Sequence, residues 1–318
     1  GKLIGLHGRG ERNEQASSGR EIAMKTGVNQ GVPITYYNLF ASGAPVVIAK
    51  TTATTADDYL AQARASAGKK GREQTVIRLA EQSLKLRETA EGYFLIGTNK
   101  SHLEDYQGAI IDFNNALAID PKDASSYSNR GVTKGRLGDH QGAIADSTKA
   151  IEIDPQDARA YTNRGVTKGK LKDYQGSITD FNKAIAINPR YAPAYSNRGN
   201  AKRKLGDIQG AIVDHSKAIA INPQLAEAYN NRGSAKSDLG DYQGAIEDFN
   251  KAIAINPQYA RAYTNRGAAK NKLGDYQGAI ADFNKSLTIN PQYGDAYNWR
   301  GIAKDDLGDY QGAIADYN

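Results

Sequence analysis

Residue types that catalyse reactions or bind metals are scarce in this chain, and none of them falls in a known catalytic spacing. Cysteine is absent, which excludes disulfides, thiolate nucleophiles and cysteine zinc sites. No HExxH pair is present, so we predict no metal site and no cofactor. The four histidines are scattered along the sequence, at His7, His102, His140 and His215.

Two further patterns resemble catalytic motifs but each lacks an essential feature. Ser147 and His215 hold equivalent positions in two different copies of a 34-residue repeat, so loosened packing is a simpler interpretation than a Ser–His pair. The segment GVTKGK (165–170) is one residue short of a phosphate-binding loop and falls inside a predicted helix. No GxSxG nucleophile motif is present. We therefore predict no enzyme within residues 51–318.

Length and charge limit the classes of partner. The chain has 318 residues, with 41 Lys and Arg against 35 Asp and Glu, a net charge of +6. This excess is spread along the sequence, whereas nucleic-acid-binding proteins usually concentrate it in a patch, so we expect no nucleic-acid partner. No apolar run approaches the ~20 residues of a membrane-spanning helix. The composition fits two domains or one long repeat array, and it leaves the cellular compartment open.

A 34-residue period dominates the sequence. Six prolines mark it, each ending a phrase such as AIAINP: Pro121, Pro155, Pro189, Pro223, Pro257 and Pro291. In the unit 260–293, apolar and small residues at helical spacing predict two helices, 260–272 and 276–289. Gly274 can take the left-handed conformation that ends the first helix, and Asp275 can cap the second. One such hairpin cannot bury its apolar face alone, so neighbouring units must stack.

This pattern resembles the tetratricopeptide repeat (TPR) family. The family's small residues at positions 8 and 20, its aromatic at 24 and its proline at 32 match Gly267, Ala279, Phe283 and Pro291. The resemblance implies an all-α fold, a right-handed superhelix or α-solenoid with a concave groove. The six full units of the predicted array 90–318 are 90–123, 124–157, 158–191, 192–225, 226–259 and 260–293.

The units at the two ends depart from this pattern. Residues 56–89 are predicted to be a degenerate unit, because Tyr59 falls in phase with the tyrosines of position 4 and two leucines, Leu79 and Leu84, take expected apolar places. A seventh unit, 294–318, stops inside its second helix. It would expose apolar surface, which makes it a candidate for self-association.

Two positions of the first helix carry charge where the resembled family usually has large uncharged residues. Position 7 is arginine and position 11 is lysine. Unpaired buried cations are strongly destabilising, so partners are needed. We hypothesise a ladder of ion pairs from arginine to the aspartate of position 23, within one repeat or between adjacent repeats. The alternative is that the arginine stems pack while their head groups reach water. The arginines are Arg130, Arg164, Arg198, Arg232, Arg266 and Arg300, and their aspartates are Asp146, Asp180, Asp214, Asp248, Asp282 and Asp316.

Position 6 carries the candidate binding residues. In the resembled family this position faces the concave groove. A side-chain amide both donates and accepts hydrogen bonds, so a row of them could hold the main chain of an extended peptide. The alternative is that Asn-Arg-Gly is simply a soluble sequence for this helix, copied by duplication. The candidates are Asn129, Asn163, Asn197, Asn231, Asn265 and, in the last unit, Trp299.

The predicted groove is also unevenly charged. Acidic residues lie toward its C-terminal end, at Glu227, Asp238, Asp295, Asp305 and Asp306. Cations dominate its first half and would steer a ligand with an acidic stretch there, unless this face is merely solvated. The cations counted as peptide-binding candidates are Arg136, Lys170, Lys204 and Lys272, and Arg159, Arg203 and Arg261 share the same positions.

Residues 1–45 resemble a second family, the C-terminal end of a trypsin-like serine peptidase domain. LIGLHG (3–8) and GVPI (31–34) match two of its strands, which implies a short β-containing remnant. The catalytic residues of that family would lie upstream of residue 1, so His7 is not its catalytic base. Residues 46–55 are predicted to be a linker.

These patterns together predict a scaffold that binds a peptide or a partner protein in a concave groove and catalyses no reaction. One alternative is that the chain is the C-terminal portion of a trypsin-like serine endopeptidase whose repeats recruit substrates or partners, an architecture that the resemblance associates with bacteria. Another is a structural platform that self-associates through residues 294–318.

Overall fold

The computed structural model describes residues 55–318, and this part of the chain is a succession of α-helices. The predicted peptidase remnant (1–45) and the linker (46–55), apart from its last residue, lie outside the described residues. The helices are α1 Ala56–Ser66, α2 Glu73–Leu86, α3 Ala90–His102, α4 Tyr106–Ile119, α5 Ala124–Arg136, α6 His140–Ile153, α7 Ala158–Lys170, α8 Tyr174–Ile187, α9 Ala192–Lys204, α10 Ile208–Ile221, α11 Ala226–Asp238, α12 Tyr242–Ile255, α13 Ala260–Lys272, α14 Tyr276–Ile289, α15 Gly294–Asp306 and α16 Tyr310–Tyr317.

Each 34-residue unit is one pair of these helices. The two helices predicted for the unit 260–293 are confirmed, since α13 and α14 have the expected bounds. The pair α1 and α2 precedes the first full unit, with a longer connection between its helices than in the other pairs. Its interpretation as a degenerate unit of the same repeat, 56–89, stays a prediction.

A capping aspartate begins the second helix of every full unit. In the unit 260–293, the side chain of Asp275 accepts a hydrogen bond from the backbone N–H of Gly278 at 2.9 Å. The glycine leaves room for this carboxylate, because a Cβ at Gly278 would overlap the carboxylate of Asp275. The recurrent phrase DYQG is therefore a helix start. The same bond is made by Asp105, Asp139, Asp173, Asp207, Asp241 and Asp309.

Left-handed residues end the first helices. Gly274 has φ 81°, as predicted, and four other units also place a glycine there. Two units place a side chain in this conformation instead, Glu104 with φ 65° and Lys172 with φ 64°. A side chain is strained in this region, whereas glycine is not.

Relieving this strain should stabilise the array. We expect Lys172→Gly to raise the midpoint of thermal unfolding. The gain in the free energy of unfolding should be about 1 kcal/mol. The control is Lys172→Ala, which removes the same charge but keeps the Cβ, and which should give no gain. An equal gain from both variants, measured by circular dichroism, would contradict the conformational explanation.

Small residues let the helices of one unit approach each other. A Cβ on Gly267 would lie 2.7 Å from the ring of Phe283 and 3.1 Å from the carbonyl oxygen of Ala279. Phe283 and Ala279 are themselves fully buried. The core is therefore a series of small contacts repeated from unit to unit, as in a solenoid.

The first helices define the inner side of the array. Each helix packs on its neighbours in sequence, and the first helices of adjacent units also contact one another. Close approach of the first helices places them on the concave side. Within residues 55–318, every helix is too short or too polar to cross a lipid bilayer.

Candidate functional site: the concave face of the repeats

The predicted arginine–aspartate ladder is confirmed, and each pair lies within one repeat. In the unit 158–191, Arg164 Nη2 lies 2.7 Å from Asp180 Oδ1, and Arg164 Nε lies 3.0 Å from Asp180 Oδ2. The lysine of position 11 joins the same carboxylate, with Lys168 Nζ 2.8 Å from Asp180 Oδ2. The side chain of Asp180 is only 3% exposed and that of Arg164 19%, so the alternative of head groups in water is wrong. The same arginine–aspartate–lysine triad recurs in every unit from 124–157 to 294–318.

Each of these arginines also connects its repeat to the preceding one. Arg198 Nη1 donates to Asn182 Oδ1 at 2.7 Å, and Asn182 belongs to the unit before it. The guanidinium carbon of Arg198 also lies 5.5 Å from the ring centre of Tyr195, a cation–π contact. The other five arginines reach Asn114, Thr148, Ser216, Asn250 and Asn284 in the same way. The charged residues of positions 7, 11 and 23 are therefore structural.

The unit 90–123 lacks the arginine of this triad. Ile96 takes its place, and the only cation that pairs with Asp112 within residues 55–318 is Lys100, whose Nζ lies 2.8 Å from Asp112 Oδ2. Burial raises the pKa of Asp112, and the single lysine does not offset this effect. In the unit 294–318, burial acts in the same direction on Asp316, but hydrogen bonds from Arg300 and Lys304 outweigh it and lower the pKa.

The asparagines of position 6 are half-buried and do not behave alike. Asn129 Nδ2 donates to Thr98 Oγ1 at 3.2 Å, and Asn163 Nδ2 donates to Ser128 Oγ at 3.1 Å. Each of these bonds reaches the preceding repeat, so these two amides connect adjacent units.

Among the asparagines of the later units, one bonds to the preceding repeat and two do not. Asn265 Nδ2 donates to Asn230 Oδ1 at 2.9 Å and so also reaches the preceding repeat. Asn231 Oδ1 accepts a hydrogen bond from its neighbour Asn230 at 3.3 Å. The side-chain amide of Asn197 makes no hydrogen bond to any other described residue.

Three of the four cations predicted to bind peptide contact other residues of the array, and the fourth does not. Arg136 Nη1 and Lys170 Nζ each donate to a backbone carbonyl of the preceding repeat at 3.3 Å. Lys272 Nζ lies 5.9 Å from the ring centre of Trp299, which brings two predicted site residues together. Lys204 is exposed, and its side chain has neither an ion pair nor a hydrogen bond among residues 55–318.

A cleft of about 430 Å³ is lined by the first helices α7, α9, α11 and α13 and by the second helix α8. Three of the predicted residues line it: Asn197, Asn231 and Lys204. The other seven do not line this cleft. Sequence reasoning missed Asn200, because its position is asparagine in no other unit and so left no periodic signal. It also missed the apolar wall of the cleft, formed by Gly165, Val166, Gly169, Tyr174 and Phe181.

Position 24 is a phenylalanine in most full units, and two units replace it with a smaller or polar residue. Ser147 and His215 are buried there, and no hydrogen bond joins them. The His215 ring is fully buried, and neither ring nitrogen has a hydrogen-bond partner within the described residues. Burial lowers the pKa of His215 to about 4. Over the same residues, no cluster of His, Asp or Glu side chains could hold a metal ion.

Comparison with known proteins agrees with this repeat architecture. The fold is similar to a chain of the APC/C hetero-tetramer Cut9–Hcn1, at 17% identity and a TM-score of 0.67, over 91% of this chain and 53% of that one. It is also similar to a tetratricopeptide repeat protein from Parabacteroides merdae ATCC 43184, at 17% identity and a TM-score of 0.62, over 81% of this chain and 98% of that one. The MamA protein matches at 29% identity and a TM-score of 0.45, over 53% of this chain and 92% of that one. No curated protein sequence matches significantly.

Family models give the assignment. Models described as tetratricopeptide repeat match residues 90–123, 124–157, 158–191, 226–259 and 260–293, and one described as TPR repeat matches residues 199–240. These segments together span more than half of the chain. The chain belongs to the tetratricopeptide repeat family.

Proposed function

We propose that the chain is a protein-interaction scaffold that binds an extended peptide segment of a partner protein on the concave face of its repeats. Membership of the tetratricopeptide repeat family supports the scaffold role. The observation that carries the proposal is the cleft lined by α7, α8, α9, α11 and α13, where the side-chain amides of Asn197 and Asn200 have no hydrogen-bond partner among the described residues. Amides in this state can bond to the N–H and C=O groups of an extended peptide.

Charge supports a preference for acidic peptides. Lys204 and Arg261 line the cleft and make no ion pair with any residue of 55–318, whereas Arg203 is neutralised by Asp238. Opposite charge on a ligand would speed association and fix its register. Binding alone is proposed, with no reaction.

The two other interpretations of the sequence stay predictions. The serine endopeptidase interpretation depends on residues 1–45, outside the described residues, and the family matches begin at residue 90. Self-association would use the unit 294–318. Neither interpretation excludes peptide binding by the repeats.

The experiment uses the absence of cysteine from the chain. A random nonapeptide library displayed on phage is selected on the protein, and the enriched peptides are synthesised with blocked termini. Single cysteines are introduced at Asn200→Cys, in the cleft, and at Lys217→Cys, an exposed position on the second helix α10. We expect the enriched peptides to slow maleimide labelling of the first cysteine and to leave the second unchanged. Equal labelling rates at Asn200→Cys with and without peptide would contradict the proposal.

A further inference from the structure

We propose that peptide recognition is focused on the unit 192–225, where Asn197 and Lys204 contact the ligand, and that the ligand carries an acidic side chain close to an apolar one. This inference rests on the proposed function. It narrows the predicted binding surface from a uniform row of asparagines along the array to one cleft.

Asn197 and Lys204 differ from the other predicted binding residues because their side chains are not already bonded within the repeat array. Of the ten side chains predicted to bind peptide, eight already contact other residues, mostly of an adjacent repeat. Asn197 and Lys204 make no such contact with any described residue. A side chain already bonded within the array must give up that bond to meet a ligand, whereas a free one gains a bond. Equivalent positions are therefore not equivalent in binding.

Both free residues lie on one helix and line the same cleft. Asn197 and Lys204 belong to α9, together with Asn200, whose amide is likewise free among the residues described. Asn231 extends the polar lining onto α11 and keeps its Nδ2 group free of hydrogen bonds to other described residues. These amides can pair with successive peptide groups of an extended chain.

The wall of the cleft on α7 selects for an apolar side chain. Val166 is 37% exposed there, and Gly165 and Gly169 lie beside it. Position 12 is occupied by Gly169 in the unit 158–191 and by Arg203 in the next unit. A Cβ on Gly169 would lie 3.3 Å from Ser177 Oγ, so glycine lets α8 approach α7 beside the exposed Val166. Burying a ligand side chain against this surface is favourable in proportion to the area covered.

The charge of α9 supplies the acidic preference. Lys204 is exposed and free of any described carboxylate, while its neighbour Arg203 has both Nε and Nη2 directed at Asp238, with Nη2 2.9 Å from Asp238 Oδ1. Lys204 is therefore the cation of α9 that remains available. The acidic residue in the cleft, Glu227, lies on α11. A carboxylate on the ligand would meet Lys204, and a ligand cation would be repelled by it.

The test compares matched variants at equivalent positions. Dissociation constants of the enriched, blocked nonapeptides are measured by fluorescence polarisation on wild type, Asn197→Ala, Lys204→Gln, Asn163→Ala and Lys170→Gln. We expect Asn197→Ala and Lys204→Gln each to weaken binding roughly tenfold with an unchanged unfolding midpoint. Asn163→Ala and Lys170→Gln should leave affinity within about twofold, since their side chains are used between repeats.

The outcomes separate the inference from the function on which it rests. Equal losses of affinity in all four variants would mean that the whole row binds, which would overturn the focused site but keep the groove. Enriched peptides without an acidic residue next to an apolar one would overturn the ligand assignment. A library from which no peptide protects Asn200→Cys would overturn both proposals together.

Discussion

Replacing His215 with phenylalanine should stabilise the unit 192–225 and remove most of its sensitivity to acid. Four other units have a buried phenylalanine at this position, at Phe113, Phe181, Phe249 and Phe283. His215 is equally buried, with its ring edge 2.9 Å from where a Cβ of Gly199 would lie. The phenyl ring therefore suits the space and removes two buried nitrogens that have no partner among the described residues.

The sign of the pH effect follows from the pKa of His215. Burial lowers this pKa from 6.5 to about 4, with Arg203 and Arg232 acting in the same direction. Between these values the unfolded chain binds a proton that the folded chain does not, so stability falls as the pH falls from about 6.5 to about 4. The loss amounts to at most about 3 kcal/mol.

The carboxylates near His215 do not rescue its protonated form. Asp214 is adjacent and favours protonation, but Arg198 and Lys202 already bind it. Asp248 is farther along the stack and is bound by its own arginine and lysine. A proton on His215 is therefore accommodated mainly by opening the contact between α9 and α10.

Hydrogen exchange followed by mass spectrometry at pH 7 and pH 5 measures this effect locally, which matters because repeat arrays need not unfold in one step. In wild type, amides of α9 and α10 should lose more protection at pH 5 than those of α11 and α12, after correction for the intrinsic exchange rate. His215→Phe should abolish the difference. The reciprocal variant Phe249→His should make the unit 226–259 acid-sensitive as well. Acid sensitivity that stays in α9 and α10 of His215→Phe would show that another group is responsible.

Replacing the aspartate of position 23 with asparagine should strongly destabilise any unit that carries the arginine of position 7. The same replacement should not destabilise the unit 90–123, which lacks this arginine. Asp146→Asn leaves the side chains of Arg130 and Lys134, 16% and 21% exposed, without their shared anion. Breaking a buried ion pair on one side typically costs about 3–5 kcal/mol. The unit 124–157 should therefore lose most of its protection from hydrogen exchange.

Asp112→Asn is the matched control at the same repeat position. The raised pKa of Asp112 means that its charged form is disfavoured by folding, and its contribution to stability is lost as the pH rises through that pKa. At pH 7 the asparagine should leave the unit 90–123 unchanged or slightly more stable. A loss in Asp112→Asn comparable with that in Asp146→Asn would show that one lysine suffices as a partner.

Much of this architecture is predictable because it depends on spacing along one chain. The bounds of α13 and α14 follow from helical periodicity, the left-handed Gly274 and the capping Asp275. The ladder follows from a constant separation of sixteen residues between the arginine and its aspartate, which places both on facing helices of one hairpin.

The repeat spacing does not predict which asparagines of position 6 bond to an adjacent repeat and which have a free side chain. Asn163 and Asn197 occupy the same position, and each is followed by Arg and Gly. They differ in what the first helix of the preceding repeat offers. Ser128 accepts a hydrogen bond from Asn163, whereas Thr162, at the equivalent position for Asn197, donates its hydroxyl to the backbone carbonyl of Ala158. Such choices depend on side-chain rotamers across a repeat interface, which a periodic pattern does not encode.

The arginine that reaches into the preceding repeat has a consequence for how such an array can change in length. Each full unit from 124–157 onward contains both halves of the contact, the guanidinium of position 7 and the polar acceptor of position 25, so Arg266 meets Asn250 as Arg300 meets Asn284. A tandem duplication of one unit therefore creates a matched junction at once, with no compensating substitution. Gain or loss of whole units is structurally neutral at the junction, and the array can acquire or discard binding surface in steps of thirty-four residues.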